Sequence, residues 1–135
     1  MTNGQCRCGA VQYEIDGDLG ETALCYCNEC RRATGSAFSA NVRVPRTRYH
    51  LKKGGELVRE YESSPGVLRS FCGVCGGPVS GRLAADPDNI RIRLGALPAD
   101  APVRVVAHVW VSEKPHWYQI TDALPQFAQH GDVRR

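Results

Sequence analysis

Hydrophobic and polar positions alternate with a period of two along much of this chain, the pattern of strands that bury one face and wet the other. Val11-Gln12-Tyr13-Glu14-Ile15, ending at Asp16-Gly17, and Ile90-Arg91-Ile92-Arg93-Leu94 carry it most plainly. Shorter candidates of the same kind run from Phe38 to Val44, Tyr49 to Lys52, Leu57 to Tyr61, Val67 to Phe71 and Val79 to Leu83. Val105 to Val111 is apolar on both faces, which predicts a central strand or one covered from both sides. Helix signals are few. Cys27 to Thr34, stopped by Gly35, predicts about two turns, and Leu124 to His130, with Pro125 near its start and Gly131 after it, predicts one more. The 14 glycines and 8 prolines punctuate these runs and favour strands over helices. With no linker, repeat or biased segment in 135 residues, a single domain spanning residues 1–135 is expected, mainly β with short helical turns.

Composition narrows the function more than the fold. Hydrophobic residues at 42% and charged residues at 23% exclude a disordered or fibrous chain. A formal charge of +3 gives no electrostatic drive toward nucleic acid or a membrane surface, and neither partner is expected. The longest apolar stretch, Val103 to Val111, is interrupted by Arg104 and His108 and is about half the length needed to cross a bilayer as a helix. The opening Met-Thr-Asn-Gly-Gln-Cys has neither the basic segment nor the apolar run of a secretory signal, so a cytoplasmic location is expected. Thiols stay reduced there, and clustered cysteines bind metal more often than they cross-link. The basic stretch Arg43, Arg46, Arg48, Lys52 and Lys53 is followed at once by Glu56, Glu60 and Glu62 and reads as a solvated face. Arg91 and Arg93 read as the wet side of a strand.

The seven cysteines change the picture. An odd number cannot close a disulfide framework, and none stands alone: Cys6-Arg7-Cys8-Gly9, Cys25-Tyr26-Cys27-Asn28-Glu29-Cys30 and Cys72-Gly73-Val74-Cys75-Gly76-Gly77 form three clusters. A C-x-x-C turn followed by glycine presents two thiolates on one side of a tight knuckle, half of what tetrahedral Zn²⁺ needs. Cys6 and Cys8, two apart on extended backbone, project to one face and supply another half. The middle cluster converges three thiolates locally and leaves a fourth position open, which is the arrangement of catalytic zinc. Cys6 and Cys8 are also able to pair with two of the middle group; the partition into Cys6, Cys8, Cys72, Cys75 and Cys25, Cys27, Cys30 is preferred because it keeps the local triad intact. Two other chemistries compete. Cys72 and Cys75 form a redox pair only at a helix start, which Gly76-Gly77-Pro78 does not make. A histidine closing the triad gives a second structural zinc.

The cysteine blocks and their surroundings resemble the glutathione-dependent formaldehyde-activating enzyme family, which includes centromere protein V. Cys6-Arg7-Cys8-Gly9-Ala10-Val11-Gln12-Tyr13 is similar to the family's C-x-C-G-x-V-x-Y opening, and Cys25 through Phe38 to its C-x-C-x-x-C-R-x-x-x-G-x-x-F signature. Phe71-Cys72-Gly73-Val74-Cys75-Gly76 matches its F-C-x-x-C-G block. Gly95-Ala96-Leu97, His108 through Lys114, Trp117 and Asp122 through Phe127 resemble its ending. The resemblance implies a mainly β, β-tent type fold of antiparallel strands with short helical turns, organised around zinc, with two Zn²⁺ per chain. One is structural, on Cys6, Cys8, Cys72 and Cys75; the other is catalytic, on Cys25, Cys27 and Cys30. It also implies a carbon–sulfur lyase activity on S-hydroxymethyl-glutathione or a similar adduct of a small-molecule thiol with formaldehyde or another small aldehyde. The competing class is a non-enzymatic zinc-binding interaction module, in which a fourth side chain closes the triad.

Acid–base candidates are weaker. His108 shares a strand face with Val106 and Trp110 and reads first as a hydrogen-bonded buried histidine. His50 and His116 have no better claim. Glu29 reads as solvent-facing, and Arg31 and Arg32 either offset the triad's charge or meet a substrate carboxylate. Seven thiolates and two Zn²⁺ bring the formal +3 to zero, so the apparent basicity belongs to the metal-free formula.

Overall fold

The computed structural model describes residues 1–132, and ten strands lie among them. The first half holds β1 (Thr2–Gln5), β2 (Gln12–Ile15), β3 (Gly20–Cys25), helix α1 (Asn28–Thr34), β4 (Ser39–Pro45) and β5 (Tyr49–Lys53). The second holds β6 (Val58–Ser64), β7 (Val67–Cys72), β8 (Pro78–Leu83), β9 (Asn89–Arg93) and β10 (Val103–Val109). They form a three-stranded sheet in the order β1-β2-β5 and a seven-stranded sheet in the order β10-β3-β4-β9-β8-β7-β6. All pairings are antiparallel except that of β10 with β3. The fold is mainly β, as the alternation predicts.

Both sheets turn apolar side chains into a common core. Tyr13 and Ile15 of β2 meet Val42 and Val44 of β4, Val79 of β8, and Ile90 and Ile92 of β9, all buried, with Cys6 and Cys72 in the same cluster. Each such aliphatic side chain contributes about 1.5 to 3 kcal/mol on leaving water. A second, smaller cluster joins Ala23 and Cys25 of β3, Cys30 of α1, and Ala107 and Val109 of β10, with Trp110 and Phe127 packed against it. Each cysteine group is therefore built into one of the two cores.

β1 and β3 lack the alternation that marks the other strands. Thr2-Asn3-Gly4-Gln5 has no apolar side chain to bury, yet Gly4 pairs with Tyr13 and lies against its ring. A Cβ at Gly4 would stand 2.3 Å from that ring, so glycine is what admits the close approach. α1 forms where predicted: Cys27 caps its start by accepting from the Cys30 N–H at 3.3 Å, and Gly35, at φ 69°, ends it.

Three expectations are corrected. Leu124 to His130 is not helical; it runs as an extended segment along β10, with Phe127 N donating to His108 O at 2.8 Å and His108 N to Pro125 O at 2.9 Å. An isolated helix of that length is marginal, whereas pairing satisfies the outer edge of β10 and brings Phe127 onto the second core cluster. β10 accordingly is not central in the sheet order, and only Ala107, His108 and Val109 within it are fully buried. Finally, Arg93 is buried and Arg91 half-buried, because β9 lies between β4 and β8 inside the large sheet. The basic stretch does behave as a paired surface: Arg43 meets Asp86 at 2.8 Å, and Lys52 meets Glu14 at 3.6 Å. Among the described residues, no helix is long and apolar enough to cross a membrane.

Replacing the fully buried Ile92 by Ala is expected to destabilise the protein by about 2 to 5 kcal/mol in guanidinium unfolding, and a loss below about 1 kcal/mol contradicts the core assignment. A second expectation concerns acid. Hydrogen bonds from Arg43 and Asn89 hold the Asp86 carboxyl down to about 2, against an ordinary value of 3.8. Its stabilising contribution is complete above the ordinary value and is lost as pH falls from about 4 to about 2. Asp86→Asn should flatten the stability–pH curve over that window; an unchanged slope contradicts the assignment.

Candidate metal centres

The four cysteines of the β1–β2 and β7–β8 turns converge. Cys6 follows β1, Cys8 lies in the turn before β2, Cys72 ends β7 and Cys75 lies in the turn to β8. Their sulfurs all lie within 4.8 Å of one another, with Cys6 and Cys8 at 3.7 Å and Cys8 and Cys72 at 4.0 Å. Four sulfurs at about 2.3 Å from a tetrahedral Zn²⁺ stand about 3.8 Å apart, so the spacing fits the ion and is far too long for a disulfide. Backbone donors complete the cradle: Val11 N to Cys6 Sγ at 3.3 Å, Val74 N to Cys72 Sγ at 3.4 Å, and Gly77 N to Cys75 Sγ at 3.3 Å. Gly9 and Gly76, each directly after the second cysteine of its pair, adopt φ 78° and 73°, the left-handed backbone that turns the chain sharply back. The N–H of Gly77 draws the Cys75 thiol down to about 6, favouring the thiolate a metal requires.

The triad is local, as the spacing predicts. Cys25 ends β3, Cys27 caps α1 and Cys30 sits in its first turn, and the three sulfurs lie within 4.8 Å of one another. Cys25 and Cys30 are buried and Cys27 is half-buried. Hydrogen bonds from Cys25 and Cys27 hold the Cys30 thiol far below its ordinary value, while Cys25 and Cys30 push Cys27 up. Among the described residues, no fourth cysteine, histidine or carboxylate joins this group.

The sequence comparisons bear on this arrangement directly. The sequence profile of the glutathione-dependent formaldehyde-activating enzyme family matches residues 1–113, a span that includes all seven cysteines. The chain belongs to this family. A curated protein of Colletotrichum graminicola, provisionally named a glutathione-dependent formaldehyde-activating enzyme, is 28% identical over 78 residues. That match takes in 58% of this chain and 41% of the fungal protein, so the chain spans about two fifths of that relative's length. A crystal structure of a Rhodobacter sphaeroides protein superposes with a TM-score of 0.59 at 23% identity, covering 76% of this chain and 98% of the other, which supports the fold.

Around the family's cysteines lie residues that the sequence placed with mixed success. His108 is buried, and its Nδ1 meets the Tyr26 hydroxyl at 2.8 Å while its Nε2 meets both Asp122 oxygens at 3.0 Å. The expectation of a hydrogen-bonded buried histidine therefore holds. Tyr26, between two site cysteines, is fully buried and anchors the triad loop to β10; nothing in the sequence singled it out beyond its apolar bulk inside a polar cluster. Arg31 reaches the Tyr26 carbonyl and the Asn28 side chain, so it braces the loop. Glu29 and Arg32 are exposed, as are His116 and His50, the last paired with Asp16 at 2.7 Å.

A cavity of about 1090 Å³ opens between the two sheets, beside α1. Tyr13, Phe38, Asn41, Arg69, Phe71 and Arg93 are among the residues lining it. Ala33 and Thr34 of α1, the helix that carries Cys30, line it as well, and the positive charge of Arg69 helps to lower the Cys30 thiol. Neither arginine was singled out as a site residue in the sequence, since an arginine in an alternating strand reads as a wet position.

Tyr26→Phe leaves the buried His108 Nδ1 without its partner and should cost about 1 to 3 kcal/mol of stability. Thermal unfolding of the metal-loaded protein checks this, and an unchanged midpoint contradicts an anchoring role.

Proposed function

We propose that the chain is a zinc-dependent carbon–sulfur lyase-type enzyme that acts on the thiol adduct of a small aldehyde, similar to S-hydroxymethyl-glutathione. The observation that carries this reading is a triad of cysteine sulfurs within 4.8 Å, joined by no fourth cysteine, histidine or carboxylate among the described residues, at the start of a helix whose last turn lines a large cavity. Family membership supports the same chemistry. In this reading Cys6, Cys8, Cys72 and Cys75 hold a structural zinc and Cys25, Cys27 and Cys30 a catalytic one, within a cytoplasmic single-domain protein of β-tent type.

When bound at the triad, zinc supplies Lewis acidity and favours a neighbouring thiol as its thiolate. The chain's own residues set the geometry. α1 and β3 hold the three sulfurs from two rigid elements, and the Tyr26–His108–Asp122 chain of hydrogen bonds keeps the intervening loop in place. Cys27, half-buried at the helix start, is the most accessible of the three. In the forward direction a bond forms between the thiol sulfur and the aldehyde carbon, and the thiol proton ends on the former carbonyl oxygen. The reverse breaks that bond and returns the proton to sulfur, so no oxidant or reductant is needed. Phe38 and Phe71, both lining the cavity, give it apolar walls.

Cys27→Ser is the direct test. Zinc content should fall from two ions per chain to one, and thiol–aldehyde adduct turnover should fall by at least a hundredfold, about 3 kcal/mol of lost transition-state stabilisation. Unchanged turnover with one zinc lost contradicts the catalytic assignment and leaves an interaction module as the reading.

A further inference from the structure

The strand register lays one row of polar side chains from the triad across the large sheet. Cys25 of β3 stands opposite Ser39 of β4, and Asn41, two residues further along β4, stands opposite Arg93 of β9. Directly paired residues turn their side chains to the same side of a sheet, and residues two apart on a strand share a face. Cys25, Ser39, Asn41 and Arg93 therefore project to one side, the side on which α1 packs over β4 and carries Cys30. Ser39 is 1% exposed and Arg93 is 9% exposed.

The hydrogen bonds along this row run in one direction. Arg93 Nη1 donates to Asn41 Oδ1 at 2.7 Å, which fixes the amide with its nitrogen toward Ser39, and Asn41 Nδ2 donates to Ser39 Oγ at 3.5 Å. An amide nitrogen only donates, so the Ser39 hydroxyl accepts there and sends its single proton elsewhere. It goes to sulfur: beyond Cys25 and Cys27, the Ser39 hydroxyl bonds Cys30 and favours its thiolate. Among the described residues Arg93 forms no salt bridge, so its charge is handed to a neutral amide rather than to a carboxylate. A buried cation so placed is costly unless a negative group lies near. Three thiolates with Zn²⁺ carry one net negative charge, and the row leads to it.

We propose that Arg93, Asn41 and Ser39 are positioning residues that act through Cys30, forming a directed hydrogen-bond chain that orients its sulfur and draws electron density from it. Three thiolates donate enough charge to weaken a metal as a Lewis acid; a donor on Cys30 reduces that donation, as groups bonded to metal ligands do elsewhere. The proposal rests on the reading of the triad as a metal site.

The test uses the cobalt-substituted full chain. Its thiolate-to-cobalt charge-transfer band at the triad is obtained by subtracting the spectrum of Cys27→Ser, which keeps the quartet ion alone. Ser39→Ala should move that band to longer wavelength, because a thiolate that loses a donor gives up its electrons more readily, and Ser39→Thr, which keeps the hydroxyl, should restore it. Asn41→Asp, equal in size but unable to donate, draws the Ser39 proton to itself and should also move the band to longer wavelength. In the Ser39→Ala background it should add little, since the chain is already cut. Should Asn41→Asp fail a melting control, Ser39→Ala against Ser39→Thr decides. A band unmoved by Ser39→Ala, or moved equally by Ser39→Thr, overturns the chain while the triad stands as a metal site. An Asn41→Asp shift that is as large without the Ser39 hydroxyl as with it also overturns the chain, leaving a direct effect of charge. Failure of the unaltered protein to take up a second cobalt overturns the reading of the triad itself, and the chain with it.

Discussion

Four sulfurs drawn together from residues 6–8 and 72–75 are the constraint on which the rest of this structure depends. The first pair belongs to the turn joining β1 and β2 of the small sheet, and the second to the turn joining β7 and β8 of the large one. Their convergence fastens the two sheets at one end, with Cys6 and Cys72 inside the same apolar cluster as Tyr13, Ile15, Val79 and Ile92. In a chain of 135 residues the apolar core is modest. A metal held by these four sulfurs would cross-link distant segments and add its binding free energy to folding. The glycine that follows each cysteine pair, Gly9 in one and Gly76 in the other, is part of the same device, since the knuckle closes only where the backbone turns left-handed.

The triad is built by a different logic. Its sulfurs come from six consecutive residues and need no long-range closure, so their precision derives from what braces the loop: α1 with its Cys27 cap, Arg31 on the Tyr26 carbonyl, and Tyr26 bonded through His108 to Asp122. The parallel pairing of β10 with β3 places His108 opposite Leu24, one residue from the first triad cysteine. Residues of both sheets line the cavity, and the buried arginines of β7 and β9 reach it from the large sheet. A long-range quartet and a local triad of sulfurs are thus kept apart within one small fold.

Much of this was legible in the sequence, for identifiable reasons. Strands β2, β4 to β9 and helix α1 announced themselves because half-buried elements alternate apolar and polar residues or carry cap signals. The two cysteine groups were legible because ligand spacing is local chemistry. β1 and β3 were not, since their places come from pairing partners: Gly4 beneath the Tyr13 ring, and β3 between β10 and β4. The tail from Leu124 to His130 misled because its proline and glycine signals suit a helix, while the unpaired edge of β10 offered more hydrogen bonds than one isolated turn. Arg69 and Arg93 were illegible because alternation alone cannot tell a polar position facing water from one facing an internal cavity.

The central claim is that seven cysteines divide into a closed quartet and an open triad. Cadmium NMR of the cadmium-substituted protein tests it most directly, because each ion reports its own ligand set. The account predicts two resonances per chain, one unmoved by added thiol and one that shifts as a fourth sulfur joins the triad. A single resonance, or two that both ignore added thiol, would contradict it.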